Sequence, residues 1–458
     1  KDALVVNSTG GSEIITALKL YAVLPSAIIA FLVITKLYNM FSRQTVFYII
    51  VTFFITFFAL FTLVLYPYQE ALTPTQTCAW LREVLPQGKF FENFVNMYQY
   101  WSFSLFYILS ELWGSVIATL LFWQFANSIV KVKEAKRFYA HFYLIANLAT
   151  AFSGIVGRFY AKVGQHLPTE FERYGQTVHY TAWTVVLLGL LVMFLYNYLN
   201  SKVVTDPRLV TADEAMPEKK KLKLGVGESI KFIFQSKYLG LIAILVISYG
   251  ITINLVEVAW KQEIHHLYPE KSHYNAYMNL VSTINGLTTF FVILIGGYLV
   301  RVMGWRAGAL ATPFALGITG VIFFYFMIFT DSVTPLAAIL GTTALTLTVV
   351  FGTIQNVLSK SIKYALFDPT KEMSYIPLDP ESKAKGKAAV DVVGGRLGKG
   401  GGAAIQQILF LITGLGTAGI APYSASLLLI FTLIWIWAVF NLHKLFVAKG
   451  GEEVKPKA

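Results

Sequence analysis

From Ala421 to Phe440 the chain reads APYSASLLLIFTLIWIWAVF, twenty residues without a charge. A helix of about 20 apolar residues rises roughly 30 Å, the thickness of a bilayer's hydrocarbon core. It is stable there because every backbone hydrogen bond is internal. The pattern recurs. Further spans fall near 15–38, 44–66, 98–126, 138–160, 179–199, 237–260, 276–300, 308–330, 334–358 and 387–415, which with 421–445 makes eleven. Hydrophobic residues make up 56% of the chain and charged residues 14%, against about 25% charged in a soluble domain. The fold class is an all-α polytopic membrane protein.

The charges sit where such a topology needs them. Loops after the odd-numbered spans, together with the C-terminal tail, carry about 24 Lys and Arg, and the opposite loops about six, mainly Arg82, Lys89, Lys162, Arg173, Lys261 and Lys271. The positive-inside rule puts the first set in the cytoplasm and residue 1 on the outer side. The net charge of +12 is therefore read as topology rather than nucleic-acid binding. A hydrophilic stretch, 200–232, separates a bundle over 1–199 (five spans) from one over 233–458 (six spans). Its Lys219–Lys223 run reads as a solvated linker near anionic lipid. Two equal six-helix bundles around a midplane site would be a major-facilitator-like arrangement. The abrupt start Lys1-Asp2-Ala3-Leu4 leads to the expectation of a further helix before it, with eleven true spans as the alternative.

The stretch Gly394 to Gly402, GGRLGKGGG, invites comparison with the phosphate-cradling P-loop, G-x-x-x-x-G-K-[ST]. The template puts Val393 in place of its first glycine and Gly400 in place of its Ser or Thr. The stretch also lies inside an expected span. Gly394, Gly398 and Gly402 instead make a small-xxx-small ridge, which lets membrane helices approach closely.

Ionisable groups at membrane depth cost at least ~2.5 kcal/mol and commonly face a pathway. Glu111 lies near the centre of the third span, as a pathway group or an interhelical hydrogen-bond partner. Arg396 and Lys399 are three residues apart and share a helix face, suited to a substrate anion or to acidic partners such as Glu111 or Asp391. Glu257 ends the sixth span, where Lys261 at i+4 could simply pair with it. Lys19 and Arg158 lie one turn from the outer ends, where snorkelling to the interface is the default. Lys360 and Lys363 read as interfacial or topological.

Trp101, Tyr107, Trp113, Trp123 and Tyr249 could stack on a base, but such residues more often line cores or interfacial belts. Cys78 is the only cysteine, which excludes an intramolecular disulfide and a cysteine metal site. His265 and His266 have no partners at metal spacing. No Ser/His/Asp constellation is visible, so neither an enzyme nor a cofactor is implied. A nucleotide-hydrolysing pump would need a soluble nucleotide-binding domain, and 200–232 is too short for one. A cavity with more cations than anions suits an anionic cargo such as an organophosphate or nucleotide.

Several stretches together resemble the nucleotide transporter (ATP:ADP antiporter) family of plastids and obligate intracellular bacteria. They are Lys1-Asp2-Ala3-Leu4-Val5-Val6, Ser110-Glu111-Leu112-Trp113-Gly114-Ser115-Val116, Phe122-Trp123-Gln124-Phe125-Ala126-Asn127, Glu134-Ala135-Lys136-Arg137-Phe138-Tyr139, Asn254-Leu255-Val256-Glu257-Val258-Ala259-Trp260-Lys261, Phe367-Asp368-Pro369-Thr370-Lys371-Glu372-Met373 and Gly398-Lys399-Gly400-Gly401-Gly402-Ala403. The resemblance implies twelve spans, a major-facilitator-like fold, and a bacterial inner membrane or a plastid inner envelope. It implies ATP and ADP as cargo, no nucleic-acid partner, and transport residues at Lys1, Glu111, Glu257 and Lys399. A monomer in membrane lipid is expected. Two departures stand out: Gly400 where the family usually has serine, and Gly394-Gly395 where related bacterial exchangers tend to have alanines. Because family members differ in cargo, proton-coupled import of several nucleoside triphosphates and NAD/ADP exchange are the alternatives to ATP/ADP exchange.

Overall fold

The structure is a computed structural model that describes residues 1–9, 11–129, 132–203, 236–379, 386–387, 390 and 394–450; for 119, 127–129, 132–140, 203, 297, 299–301, 303, 396 and 399 it describes the backbone alone. A short helix, α1 (Asp2–Thr9), precedes the spans α2 (Glu13–Met40) and α3 (Arg43–Leu65). Two amphipathic helices follow, α4 (Thr75–Val84) and α5 (Lys89–Gln99). Then come α6 (Trp101–Ala126), α7 (Val132–Val163) and α8 (Glu170–Lys202). The second half of the chain contributes α9 (Lys237–Leu267), α10 (Lys271–Gly296), α11 (Gly304–Ile328), α12 (Thr330–Ile339), α13 (Ala344–Ser374), α14 (Gly395–Thr413) and α15 (Ala421–Ala448).

Nine of these helices are long and apolar enough to cross a membrane, and α12 with α13 makes a bent tenth. The protein is an all-α polytopic membrane protein. Large apolar side chains such as Phe31, Leu32, Leu187, Phe194 and Leu433 point outward, as lipid-facing positions should.

One expected span needs correction. The segment 334–358 is not a single straight helix. α12 ends at Ile339, the chain turns through Gly341 at φ +66°, and α13 starts at Ala344 after an angle of 95°. Glycine adopts this left-handed conformation at little cost. Thr343 then caps α13, its hydroxyl accepting from Thr346 N–H at 3.1 Å. Hydropathy alone does not register such a turn, because Leu340 and Val349 are apolar on either side of it. Expected spans elsewhere agree with the helices to within several residues, except that 387–415 is helical from Gly395 and its residues 388–389 and 391–393, with Asp391, lie outside the described ones.

Glycines decide the closest packings. A methyl at Gly402 would stand 2.8 Å from Asn254 Cβ, and one at Gly398 3.1 Å from Gly250 Cα; Gly394 faces Val246. These three form the ridge expected from their spacing, and it seats α14 on α9 along Val246, Gly250 and Asn254. Gly154, Gly157 and Gly286 similarly press α7 of the first half against α10 of the second, around Asn279 and Ala151. α9 is the most central helix, with 78% of its most apolar stretch buried against 11–44% elsewhere.

Polar contacts join the first half of the chain to the second around Ser12 and Glu13. Ser12 N–H donates to Gln262 Oε1 at 2.6 Å, and its hydroxyl donates to Val258 O at 2.8 Å. Thr417 N–H donates to the buried carboxylate of Glu13 at 2.8 Å, and Asn7 donates to Pro269 O at 2.6 Å. Lys271 N–H donates to Glu170 at 2.7 Å.

Candidate functional site

α9 explains why a charged site can exist at membrane depth. Between Ser248 and Ile264 every residue is buried except Glu257. That carboxylate is ten residues from the helix end at Leu267, or about 15 Å at 1.5 Å per residue. It faces a gap between α2, α9 and α13. Lys261, one turn further along α9, places Nζ 3.2 Å from Glu257 Oε1. Lys360 of α13 lies 3.7 Å from the same oxygen, and Lys19 of α2 lies 3.5 Å from Oε2. Lys19 also donates to Asn254 Oδ1 at 3.1 Å.

A second cluster adjoins the first through α1. Lys1 Nζ pairs with Glu111 of α6 and lies 5.4 Å from the centre of the Tyr107 ring. Its neighbour Asp2 pairs with Lys261 at 2.9 Å. Four lysines and three carboxylates thus run from Glu111 through α1 to Glu257 and Lys360. Both halves of the chain contribute, and among the described side chains of this network one positive charge is left over. Lys1, Glu111 and Lys360 are each about one-third exposed, whereas Lys261 is only 5% exposed.

Three π-helical segments accompany these charges. Lys19 lies within Leu18–Val23, Glu111 just before Gly114–Leu121, and Lys360 just before Lys363–Phe367. A π turn shifts the following side chains around the helix and recurs at functional sites.

The structure brings Lys1, Glu111, Glu257 and Lys19 together. Lys19 does not snorkel to the interface; it turns inward because Glu257 and Asn254 offer it a charge and a carbonyl. Lys360 is not merely interfacial, since it too faces Glu257. Lys261, counted by sequence as an outer-loop cation, is buried between Asp2 and Glu257. Lys363 instead pairs locally with Asp368 at 2.7 Å. Arg158 stands apart on α7, partly exposed, and pairs with no carboxylate among the described residues. The side chains of Arg396 and Lys399 lie outside the described ones; their backbone belongs to α14. Of the five aromatics singled out by sequence, Tyr107 touches the network through Lys1. Trp101 donates to Leu72 O, and Tyr249 packs on Phe367 and Trp435.

Lys261 and Lys360 were the site residues hardest to find by sequence. The one signal was helical spacing, Lys261 standing at i+4 from Glu257; Lys360 gave none, since the π turn it precedes is not announced by sequence. Asp2 gave no signal at all.

The comparisons with known proteins identify the family. Residues 1–446 match the family model described as TLC ATP/ADP transporter. The chain belongs to the TLC ATP/ADP transporter family. It is 45% identical to ADP,ATP carrier protein 1 of Chlamydia muridarum, over 98% of this chain and 84% of that protein. It is 43% identical to ADP,ATP carrier protein 1 of Rickettsia prowazekii, over 97% of this chain and 88% of that one. Identity to the chloroplastic ADP,ATP carrier protein 1 of Arabidopsis thaliana is 41%, over 99% of this chain and 71% of that protein.

Proposed function

We propose that this protein exchanges ATP for ADP across a bacterial inner membrane by alternating access. It moves the nucleotide intact and does no chemistry on it. The observation that carries the reading is the set of lysines from both halves, Lys1, Lys19, Lys261 and Lys360, gathered around three carboxylates in a member of this family.

In this reading the phosphates sit between the halves. Lys1 of the first half and Lys399 of the second, with Arg396, attract the anion, and Glu111 and Glu257 partner the lysines when the site is empty. Because cations come from both halves, bound anion draws the halves together. The empty carrier, with its lysines engaged by Glu111 and Glu257, reorients slowly, so return requires a counter-substrate. Trading external ATP⁴⁻ for internal ADP³⁻ moves one net negative charge, which an inside-negative potential opposes by about 2.3 kcal/mol per 100 mV. Net ATP import then requires a favourable ATP/ADP gradient. The two halves act as two bundles joined by the 200–232 linker, and the protein works as a monomer in the bilayer.

Uptake of labelled ATP into proteoliposomes preloaded with ADP, GTP, NAD or nothing tests this reading. Fast uptake with internal ADP and little without it is expected. Strong uptake into empty vesicles driven by a pH gradient would instead establish proton-coupled import.

A further inference from the structure

We propose that Lys19, Lys261 and Lys360 form a cradle for a chain of phosphates, and that Glu257 is a tethered anion occupying it when no nucleotide does. The proposal takes the identity of the cargo from the exchange reading above. It takes the cradle from geometry.

Three ammonium groups converge on one carboxylate. Their distances, 3.2, 3.5 and 3.7 Å, exceed the 2.7–2.9 Å typical of a tight charge-assisted hydrogen bond. Glu257 is shared among the lysines rather than locked to one. Lys261 has a shorter pair with Asp2 at 2.9 Å, and Lys19 has Asn254 at 3.1 Å. Lys360 has no closer ion pair among the described residues, so it is the least committed cation of the three.

Among the described side chains the charges do not balance. Lys19, Lys261 and Lys360 face Glu257 and Asp2, three positive charges against two negative. Like charges in a partly buried site repel strongly, because the surrounding dielectric is low. A carboxylate brings one negative charge on two oxygens. A triphosphate brings several charges on a chain of oxygens, which can reach three ammonium groups at once. Lysine, a compact charge on a flexible stem, is well suited to such a ligand.

The cradle is also reachable. Lys360 is 33% exposed, Lys19 23% and Glu257 19%, while Lys261, 5% exposed, lies beneath them. Its members come from α2 in the first half and from α9 and α13 in the second. Displacing Glu257 therefore exchanges an internal bridge between the halves for the cargo's own bridge. This gives the empty carrier a defined resting partner for its lysines.

The test uses the purified full chain and inorganic tripolyphosphate alone, alongside ATP and AMP, in equilibrium binding. Lys360→Gln and Lys261→Gln should each weaken tripolyphosphate binding by about tenfold or more, as loss of a hydrogen bond to a charged group does. AMP binding should change much less, and Lys360→Arg should keep most of the affinity. Glu257→Gln should bind tripolyphosphate more tightly than the wild type while slowing exchange in proteoliposomes. Tighter binding cannot arise from misfolding, so this variant keeps the proposal falsifiable if the lysine variants fold poorly. Unchanged tripolyphosphate affinity in a folded Lys360→Gln, or weakened affinity in a folded Glu257→Gln, overturns the cradle even if wild-type exchange is normal. Lysine-dependent tripolyphosphate binding without ATP/ADP exchange would instead uphold the cradle and overturn the exchange reading.

Discussion

Lys19 Nζ lies 3.5 Å from Glu257 Oε2, although 238 residues separate them in the chain. One side chain comes from α2 and the other from α9. The pair joins α2 to α9, and with side chains 23% and 19% exposed it is screened less than a surface ion pair.

That contact makes Lys19 sensitive to substitution. Lys19→Gln removes the charge while keeping a donor for Asn254. Exchange should fall about tenfold or more, in line with 1.5–3 kcal/mol for a hydrogen bond to a charged group. Arg158→Gln removes a charge that pairs with no described carboxylate and should leave exchange within about twofold, as surface substitutions usually do. Equal losses in both variants, measured as initial ATP uptake per amount of folded protein, would contradict this ordering.

Lys1 and Glu111 form the other pair across the site. Either single charge removal leaves a partly buried charge without its partner. Lys1→Gln and Glu111→Gln should each lower the melting temperature. The swap Lys1→Glu with Glu111→Lys should recover much of the lost stability, because the pair is restored. Exchange should remain low in the swap if Lys1 meets phosphate directly. Melting curves and uptake measured on the same preparations separate the two roles.

The glycines of α14 divide into two classes. A methyl at Gly402 would press on Asn254 Cβ at 2.8 Å, whereas one at Gly400 meets nothing within 4 Å. Gly402→Ala should therefore destabilise the fold by about 1–3 kcal/mol, the usual cost of overpacking. Gly400→Ser should be nearly neutral for stability. The check is the midpoint of thermal unfolding in detergent for each variant.

Cys78 is the only thiol, and it is buried on α4 outside the spans. Burial pushes its thiol up, against a smaller opposing pull from Arg82. The raised value means less thiolate at neutral pH than an ordinary cysteine has, so the nucleophilic form is scarce as well as shielded. Maleimide labelling of the folded protein should be slow at pH 7 and speed up as pH rises past the ordinary thiol range. Denaturant should make it fast at once. Rapid labelling of the native protein at pH 7 would show that α4 is not packed as described.

Much of the architecture was readable residue by residue. Apolar length set the spans, because a bilayer demands about 20 residues per crossing and internal hydrogen bonding throughout. Spacing alone revealed the ridge of Gly394, Gly398 and Gly402, since i, i+4 and i+8 share a helix face. The cost of burying charge singled out Glu111 and Glu257. Local pattern misjudged the break at Gly341, because a left-handed glycine in an apolar run leaves hydropathy unchanged. It also misjudged Lys19, Lys261 and Lys360, each of which lies near an apparent helix end.

Sequence by itself determined that this chain crosses a membrane many times and carries more positive than negative charge into it. Those properties depend on composition and on distances along the chain. Only the tertiary structure decided which charges meet. Lys19, Glu257 and Lys360 lie on helices far apart in sequence, and their partners follow from how α2, α9 and α13 pack. A lysine one turn from a span's end can reach outward to water or inward to a carboxylate. The nearer opposite charge decides, and for Lys19 that charge is Glu257.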